Sequence, residues 1–307
     1  MNPAPLGPNT FLIGAPKCGT TAIARYIAAH PDGFIATIKE PSFWSSDFNK
    51  ASTMFELNDL DDYLALYNDT EAKVILDAST GYIASEVAIE AILAFAPAAK
   101  FIVILRNPID LAPAYHMEKV FNCYEDVADF EQAWNLQAAR ARGESIPPLC
   151  PEPKELQYKT MASVGSQLAR VQALIPDGQL IVLFHEDLVK QPREVWLALQ
   201  DFLELDDDGR TDFPSFGSAH FNRFPRLARL YQNPPKAIIP LVRFLKRRVQ
   251  SSAANGGIGA RIKSLLLSGK KRQSLRPEFR QDLVQIFASE ITKIEDSTGR
   301  NLDHWRK

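Results

Sequence analysis

The sharpest chemical signal in the sequence is the segment GAPKCGTT at positions 14–21. Its glycines, Gly14 and Gly19, permit a tight turn in which successive backbone N–H groups point inward and bind an anion. Lys17 adds a positive charge, and the two threonines that end the segment add hydroxyl donors. The segment therefore favours a phosphate-binding loop, with a turn that binds no ligand as the alternative.

The glycines have the spacing of a Walker A loop, whose pattern is GxxxxGK[ST]. Thr20 stands where that pattern has its lysine, and Lys17 lies between the glycines instead. A P-loop-like kinase or other nucleotide-binding protein is thus an alternative, but the chain lacks the lysine that the Walker A pattern requires.

Two further candidates follow apolar runs directly. Arg106 comes after KFIVIL at 100–105, and His185 comes after QLIVLF at 179–184. The carboxyl ends of parallel strands form the edge at which open α/β sheets bind ligands, and a guanidinium matches the geometry of a phosphate. Arg106 is therefore a candidate anion ligand, with a surface ion pair to Asp110 as the alternative.

Apolar, β-branched runs alternate with helical patterns along the first 206 residues. Near-continuous apolar runs indicate strands buried on both faces, as in a parallel sheet. We therefore predict an α/β fold: a P-loop-like, doubly wound parallel sheet flanked by helices, with a basic helical C-terminal elaboration. The predicted strands are Thr10–Gly14, 73–77, Lys100–Leu105 and 179–184, and the predicted helices are 21–30, 85–95, 108–120, 130–142, 159–174, Pro192–Leu203 and 278–298.

Six segments follow one another along the chain: PKCGTT at 16–21, HP at 30–31, KEPSFW at 39–44, KFIVILRNP at 100–108, FHEDL at 184–188 and GRNLDHW at 299–305. Taken in order, they resemble the sulfotransferases that use 3′-phosphoadenosine 5′-phosphosulfate (PAPS). The segment KEPSFW is closer to the carbohydrate (heparan-sulfate-type) branch, in a bacterial-type member, than to the cytosolic phenol- and steroid-modifying branch.

The resemblance implies a sulfuryl transfer (EC 2.8.2 type) from PAPS, with adenosine 3′,5′-bisphosphate (PAP) as the product and no metal. Arg106 would bind the 3′-phosphate, and Lys17 would stabilise the charge that develops on the leaving phosphate. The residues implied to hold the 5′-phosphosulfate are Pro16, Lys17, Cys18, Gly19, Thr20 and Thr21.

The resemblance also implies a general base. In the carbohydrate branch it is the glutamate of the KEP segment, here Glu40, whereas the cytosolic branch uses a histidine, for which His116 and then His185 are the alternatives. Asp77, in a D-A-S strand end, is a candidate for positioning Lys17 or Lys39, or for capping a helix.

The chain departs from the family at Ala114, where a serine usually contacts the 3′-phosphate. Tyr115 or His116 is a candidate substitute if the register shifts. Pro113 is expected to kink the helix here or to delay its start.

Charge is distributed unevenly along the chain. Residues 213–277 hold 14 of the 35 Lys and Arg and none of the 37 Asp and Glu. This stretch predicts an electropositive surface for peripheral contact with a membrane or polyanion, or for packing on the acidic remainder of the protein; nucleic acid is not expected. A non-catalytic module that binds through this stretch is therefore a further alternative.

Composition indicates an ordinary globular protein, which we expect to be a single sulfotransferase domain over 1–307, with a core at about 9–206 and the basic elaboration at about 213–307. The three cysteines have no metal-ligand spacing and suit free thiols. With no signal peptide pattern and no long apolar run, we expect a cytoplasmic protein, with peripheral membrane contact through residues 213–277 as an alternative. The expected partners are a nucleotide donor and a hydroxyl acceptor, which is first a saccharide or a lipid-linked one and second a small metabolite.

Overall fold

A computed structural model describes residues 7–36, 38, 40–49, 57–68, 70–214, 221–222, 267–268 and 275–307. Most of the basic stretch 213–277 lies outside the described residues, as do Lys39 and the segment 50–56. Within the described residues, no helix is both long and apolar enough to cross a bilayer.

A five-stranded parallel sheet organises the N-terminal two thirds of the chain. The strands are β1 (Thr10–Gly14), β2 (Gly33–Ile35), β3 (Val74–Asp77), β4 (Lys100–Leu105) and β5 (Leu180–Phe184), in the order β2-β3-β1-β4-β5. Every residue of β1 and β3 is buried, because helices cover both faces of a doubly wound sheet. The order places β1 centrally, between β3 and β4.

Helices follow the strands. In chain order they are α1 (Thr20–Ala28), α2 (Leu60–Leu64), α3 (Ala88–Phe95), α4 (Pro108–Phe121), α5 (Phe130–Asn135), α6 (Gln137–Ala141), α7 (Tyr158–Ala162), α8 (Val164–Leu174), α9 (His185–Lys190), α10 (Pro192–Leu203) and α11 (Pro277–Thr298). Short 3₁₀ helices lie at Ala65–Tyr67, Pro153–Leu156 and Asp303–Arg306. Two short strands, β6 (Phe221–Asn222) and β7 (Leu267–Ser268), pair antiparallel.

The predicted fold class is confirmed, and so are all four predicted strands. The edge strand β2 was missed, since three half-buried residues carry too little apolar pattern to be recognised. The stretches 130–142 and 159–174 each form two helices, divided at Leu136 and Ser163. Helix α4 begins at Pro108 and runs through Pro113, so its start is not delayed.

The chain divides into two compact units. The first contains Met1–Ala112, Tyr158–Gly217 and Pro277–Lys307, and therefore the whole parallel sheet. The second contains Pro113–Gln157 and Ser218–Arg276. That the chain forms a single domain with a C-terminal elaboration stays a prediction.

The second unit contains a fully buried ion pair. Arg140 donates from Nη1 and Nη2 to the two carboxylate oxygens of Glu125, at 2.6 and 2.8 Å. Both side chains have no exposed area. The paired geometry satisfies the charges that burial would otherwise leave unsolvated.

Candidate active site

The GAPKCGTT segment forms the connection between β1 and α1. The strand ends at Gly14, and the helix begins at Thr20 with Gly19 as its N-cap. The N–H of Ala15 donates to the carbonyl of Ile104 at 2.9 Å, which ties the start of the loop to β4. The loop therefore lies at the carboxyl edge of the sheet, beside the central strands.

Two residues of this loop have a left-handed backbone. Lys17 has φ 64° and Gly19 has φ 94°. For glycine this conformation is easy, whereas for lysine it costs on the order of 1 kcal/mol. Turns that combine right- and left-handed residues direct successive N–H groups into one concavity, and strained residues of this kind cluster at binding sites.

Gly19 also lies against α9. A Cβ atom at this position would sit 2.8 Å from Cδ2 of Leu188 and 3.4 Å from Cδ2 of His185. The first distance is shorter than a carbon–carbon contact allows, so a side chain here would require the Leu188 side chain to shift. Both the backbone angle and the space favour glycine.

The N-terminus of α1 supplies a positive potential at the loop. The first N–H groups of a helix have no partner within it, and within the described residues no side chain caps this one. These donors and the helix dipole favour an anion at this end. The loop is therefore built as the sequence predicts for phosphate binding, although the binding roles of Pro16, Lys17, Cys18, Gly19, Thr20 and Thr21 stay predictions.

Arg106 contacts the loop directly. It follows β4, and its Nη1 donates to the backbone carbonyl of Lys17 at 3.1 Å. The structure thus brings the two predicted cationic residues to the same edge of the sheet. Arg280 lies 3.7 Å from Asp110, the residue considered as a surface partner for Arg106.

The next residue, Asn107, fixes the end of β4. Its Oδ1 accepts from the N–H of Ile109 at 3.0 Å and caps the start of α4. Its Nδ2 donates to the carbonyl of Trp305 at 2.9 Å. The strand end that presents Arg106 is therefore held on two sides.

Cys18 is a buried structural thiol. It has no exposed area, and its Sγ lies 3.5 Å from the carbonyl of Pro16. Burial raises the pKa of the thiol to about 12, against the opposing charges of Arg106 and Lys17. At neutral pH Cys18 is a neutral thiol, which is a poor nucleophile. All three cysteines are free, as expected.

His185 lies on the same edge, directly after β5. Burial lowers its pKa below the usual value for histidine, and the charge of Arg106 lowers it further. The ring is therefore neutral at pH 7. It also lies beside the loop, close to Gly19. Its role as a base stays a prediction.

Glu40 also has a left-handed backbone, with φ 60°. Its Oε1 accepts a hydrogen bond from Oγ1 of Thr80 at 3.4 Å, and its carbonyl accepts one from Oγ of Ser42 at 3.4 Å. The contact with Thr80 places the predicted base next to the segment that follows β3. Its catalytic role stays a prediction.

Asp77, the last residue of β3, is the centre of a buried hydrogen-bond network. It has no exposed area. Tyr63 and Tyr82 donate to its Oδ2 at 2.7 and 2.9 Å, and Ser79 donates to its Oδ1 at 2.7 Å. Burial raises the pKa of the Asp77 carboxyl to about 6; the three hydroxyl donors oppose this shift, and the charge of Glu40 adds to it.

The same three hydroxyls accept from the segment that follows Glu40. Oγ of Ser79 accepts from the N–H of Ser42 at 3.0 Å. The Tyr82 hydroxyl accepts from the N–H of Trp44 at 3.4 Å, and the Tyr63 hydroxyl accepts from Nε1 of Trp44 at 3.0 Å. Among the described residues, Asp77 is therefore bonded to hydroxyls and supports the segment 42–44 through them.

The second unit contains His116 and Tyr115. Nε2 of His116 lies 2.9 Å from the carbonyl of Val127, and burial lowers the pKa of the ring. The Tyr115 ring is buried beneath the ammonium of Lys119, at 4.5 Å from its centroid. Both side chains have structural contacts in this unit. The catalytic role of His116 stays a prediction.

Sequence reasoning missed several residues that shape the site. Tyr63 and Tyr82 gave no signal, because an isolated tyrosine near a strand is ordinary core material. Thr80 follows the D-A-S strand end directly, which was the available signal for its contact with Glu40.

Among the described residues, no group of three or more His, Cys, Asp and Glu side chains is arranged to hold a metal ion.

Comparison with known proteins identifies the family. A sequence model of the sulfotransferase domain matches residues 7–212, which is more than half of the chain. The bifunctional heparan sulfate N-deacetylase/N-sulfotransferase 2 of Bos taurus is 24% identical over 202 residues, and the Homo sapiens protein of the same name is 23% identical over 200 residues. Each match covers 64% of this chain and 22% of the relative, so the chain spans about a fifth of the length of these curated relatives.

The fold is shared with a solved sulfotransferase from Alicyclobacillus acidocaldarius. The two structures superpose with a TM-score of 0.71 at 21% identity, covering 98% of this chain and 100% of the other. On the extent of the domain match, this protein belongs to the sulfotransferase family.

Proposed function

We propose that this sulfotransferase moves a sulfuryl group from PAPS to an acceptor hydroxyl. The observation that carries the proposal is the contact between Arg106 and the carbonyl of Lys17. It brings two cationic residues and the N-terminus of α1 to one edge of the sheet. Three sources of positive potential at one place suit a ligand with more than one phosphate.

PAPS would supply an activated sulfuryl group already bonded to a phosphate. The donors of the segment 16–21 would hold the 5′-phosphosulfate, and Lys17 would stabilise the negative charge that the leaving phosphate gains. Arg106 would bind the 3′-phosphate. Arg106 and the loop backbone are held by hydrogen bonds before reaction, which is the condition under which electrostatic stabilisation is most effective.

Glu40 would take the proton from the acceptor hydroxyl. As the hydroxyl oxygen forms its bond to sulfur, the bond between sulfur and the leaving phosphate oxygen breaks and PAP is released. The hydrogen bond from Thr80 supports this role, because it restrains the carboxylate beside the sheet edge. Such a displacement depends mainly on positioning and charge neutralisation.

A carbohydrate or glycolipid hydroxyl is our first choice of acceptor, and the hydroxyl of a small metabolite is the second. The KEPSFW segment supports a saccharide, as do relatives named as heparan sulfate N-sulfotransferases. Peripheral membrane or polyanion contact through 213–277, the cytoplasmic location and the absence of a metal stay predictions.

Thermal unfolding with saturating PAP, with 5′-AMP and Mg-ATP as controls, tests the proposal. A ligand at 100 times its dissociation constant should stabilise the protein by about 2.7 kcal/mol, which shifts the melting temperature visibly. We expect PAP to stabilise the protein more than 5′-AMP, since PAP alone carries the 3′-phosphate. A response to Mg-ATP without a response to PAP would overturn the proposal in favour of a kinase. If none of the three ligands raises the melting temperature, the result would favour a non-catalytic module.

A further inference from the structure

We propose that residues 300–305, which we call the C-terminal clasp, are positioning residues of the donor site. The clasp holds Asn107 and Glu186, the chain neighbours of Arg106 and His185, and so orients those two side chains. This inference rests on the proposed function, because Arg106 is assigned there to the 3′-phosphate of the donor.

The clasp first holds the end of β4. Trp305 accepts the 2.9 Å hydrogen bond from Nδ2 of Asn107 through its backbone carbonyl, in a buried position. Arg106 shares a peptide bond with Asn107, and its guanidinium reaches the carbonyl of Lys17. A shift of Trp305 would therefore be transmitted over a single residue to the predicted phosphate ligand.

The clasp also holds the start of α9. Arg300 donates from Nη1 and Nη2 to both carboxylate oxygens of Asp187, and from Nη2 to Glu186 at 2.8 Å. Nε2 of His304 lies 2.7 Å from Oε2 of Glu186. Bidentate contacts between arginine and carboxylate fix direction as well as distance. The first turn of α9, which begins with His185, is thereby fixed in orientation.

Ring packing completes the contact with β5. The guanidinium of Arg300 lies 4.1 Å from the centroid of the Phe184 ring, and the Trp305 ring lies 6.1 Å from the same ring. Leu302 and Trp305 are almost fully buried. The clasp therefore contacts the ends of β4 and β5, the two strands that present Arg106 and His185.

Arg306, the next residue along, provides a matched control. Its Nη2 donates to Oε2 of Glu295 at 2.5 Å, and its Nη1 donates to Oε1 at 3.0 Å. It is an arginine of similar exposure to Arg300 that makes a comparable bidentate contact. Its partner lies on α11 rather than on α9, so Arg306→Gln loosens the C-terminus and leaves the contacts with Glu186 and Asp187 in place.

The test compares Arg300→Gln, Arg300→Lys and Arg306→Gln by titration calorimetry with PAP and with 5′-AMP. Arg300→Gln should raise the dissociation constant of PAP about tenfold, the scale of one weakened hydrogen bond to a charged group, with a change below about twofold for 5′-AMP. Arg300→Lys keeps the charge but loses the bidentate contact, so its value should lie between those of the wild type and Arg300→Gln. The ratio of the PAP to the 5′-AMP dissociation constant should therefore rise in Arg300→Gln, whereas Arg306→Gln should leave it unchanged.

The proposal is overturned if Arg300→Gln leaves that ratio at the wild-type value, or if Arg306→Gln raises it equally. Should Arg300→Gln fail to fold, Glu186→Gln, which preserves shape and removes one charge, is judged by the same ratio. A wild-type protein that does not prefer PAP over 5′-AMP would instead contradict the proposed function, so the two failures are distinguishable.

Discussion

Arg106 donates a hydrogen bond from Nη1 to the backbone carbonyl of Lys17, 89 residues earlier in the chain. The contact joins the end of β4 to a loop residue whose backbone is left-handed. Because the carbonyl of Lys17 is occupied by Arg106, the orientation of the following peptide group is fixed as well. The arginine is thus both a support for the loop and a cation beside it.

Replacing Arg106 by lysine should weaken PAP binding more than 5′-AMP binding. A lysine keeps the charge but cannot reach the Lys17 carbonyl and a phosphate with separate nitrogens of one planar group. We expect a loss of about 2 kcal/mol for PAP, or roughly thirtyfold, measured by calorimetry. Arg193→Lys, on the exposed pair with Asp207, is the control. Equal losses for the two nucleotides would show that Arg106 acts through the loop alone.

Replacing Gly19 by alanine should unfold the loop locally and abolish stabilisation by PAP. Gly178→Ala is the matched control, since Gly178 has φ 80° and nothing within 4 Å of the added Cβ. Both variants should lose about 1 kcal/mol from the left-handed backbone, and Gly19→Ala should lose more because its Cβ meets Leu188. Urea unfolding gives both values. Equal losses of unfolding free energy in the two variants would mean that Leu188, on α9, moves aside without cost.

Replacing Glu40 by glutamine should lower turnover while PAP binding is retained. The amide keeps an oxygen for the hydrogen bond from Thr80 but cannot take a proton, and general-base catalysis contributes on the order of 100- to 10,000-fold. Release of PAP from PAPS in the presence of a panel of saccharides measures the effect. Glu204→Gln, on the exposed pair with Lys100, is the control. Undiminished turnover in Glu40→Gln would indicate that a histidine, rather than Glu40, is the general base.

Asp77 should make stability depend on pH between about 4 and 6. Its pKa is raised from 3.8 to about 6 by burial, so in this window the folded protein holds more protons at this site than the unfolded chain. The free energy of unfolding contributed by Asp77 is then greatest below pH 3.8 and falls by about 3 kcal/mol as the pH rises through 6.

Urea unfolding of the wild type and of Asp77→Asn from pH 4 to pH 7 isolates that contribution. The changed hydrogen bonds of the amide add a constant offset, whereas other titrating groups cancel in the difference. We expect the wild type to lose stability relative to Asp77→Asn as the pH rises. A difference independent of pH would show that Asp77 does not titrate in this window.

Cys18 should resist thiol reagents in the folded protein. It is buried with a pKa raised to about 12, whereas Cys150 is half-buried. Labelling at pH 8 should therefore modify Cys150 first, and Cys18 at the rate of unfolding. Mass spectrometry of the labelled peptides measures the order, with Cys150→Ser as the control. Rapid labelling of Cys18 in native protein would show that the loop opens.

The sequence predicted four of the five strands because each of the four is a nearly continuous apolar run. Strand β2 was not predicted because Gly33, Phe34 and Ile35 form a short, half-buried edge strand. The break between α5 and α6 at Leu136 has no glycine or proline to mark it. Periodicity shows that an element exists more reliably than where it divides.

The loop and Arg106 were predictable as candidates because each lies beside a strand end that can be read locally. The support around Asp77 was not, since Tyr63 and Tyr82 join it through space and an isolated tyrosine carries no motif. The pairing of Arg300 with Asp187 spans 113 residues. Such partners follow from the three-dimensional fold rather than from local pattern.

At Lys17 and Glu40, whose backbones are left-handed, a substitution that raises stability would be expected to lower activity. Glycine would relax each position and could recover on the order of 1 kcal/mol. It would also delete the ammonium and the carboxylate to which sulfuryl transfer is here assigned. A stability screen would therefore favour glycine at the two positions where an activity screen should reject it.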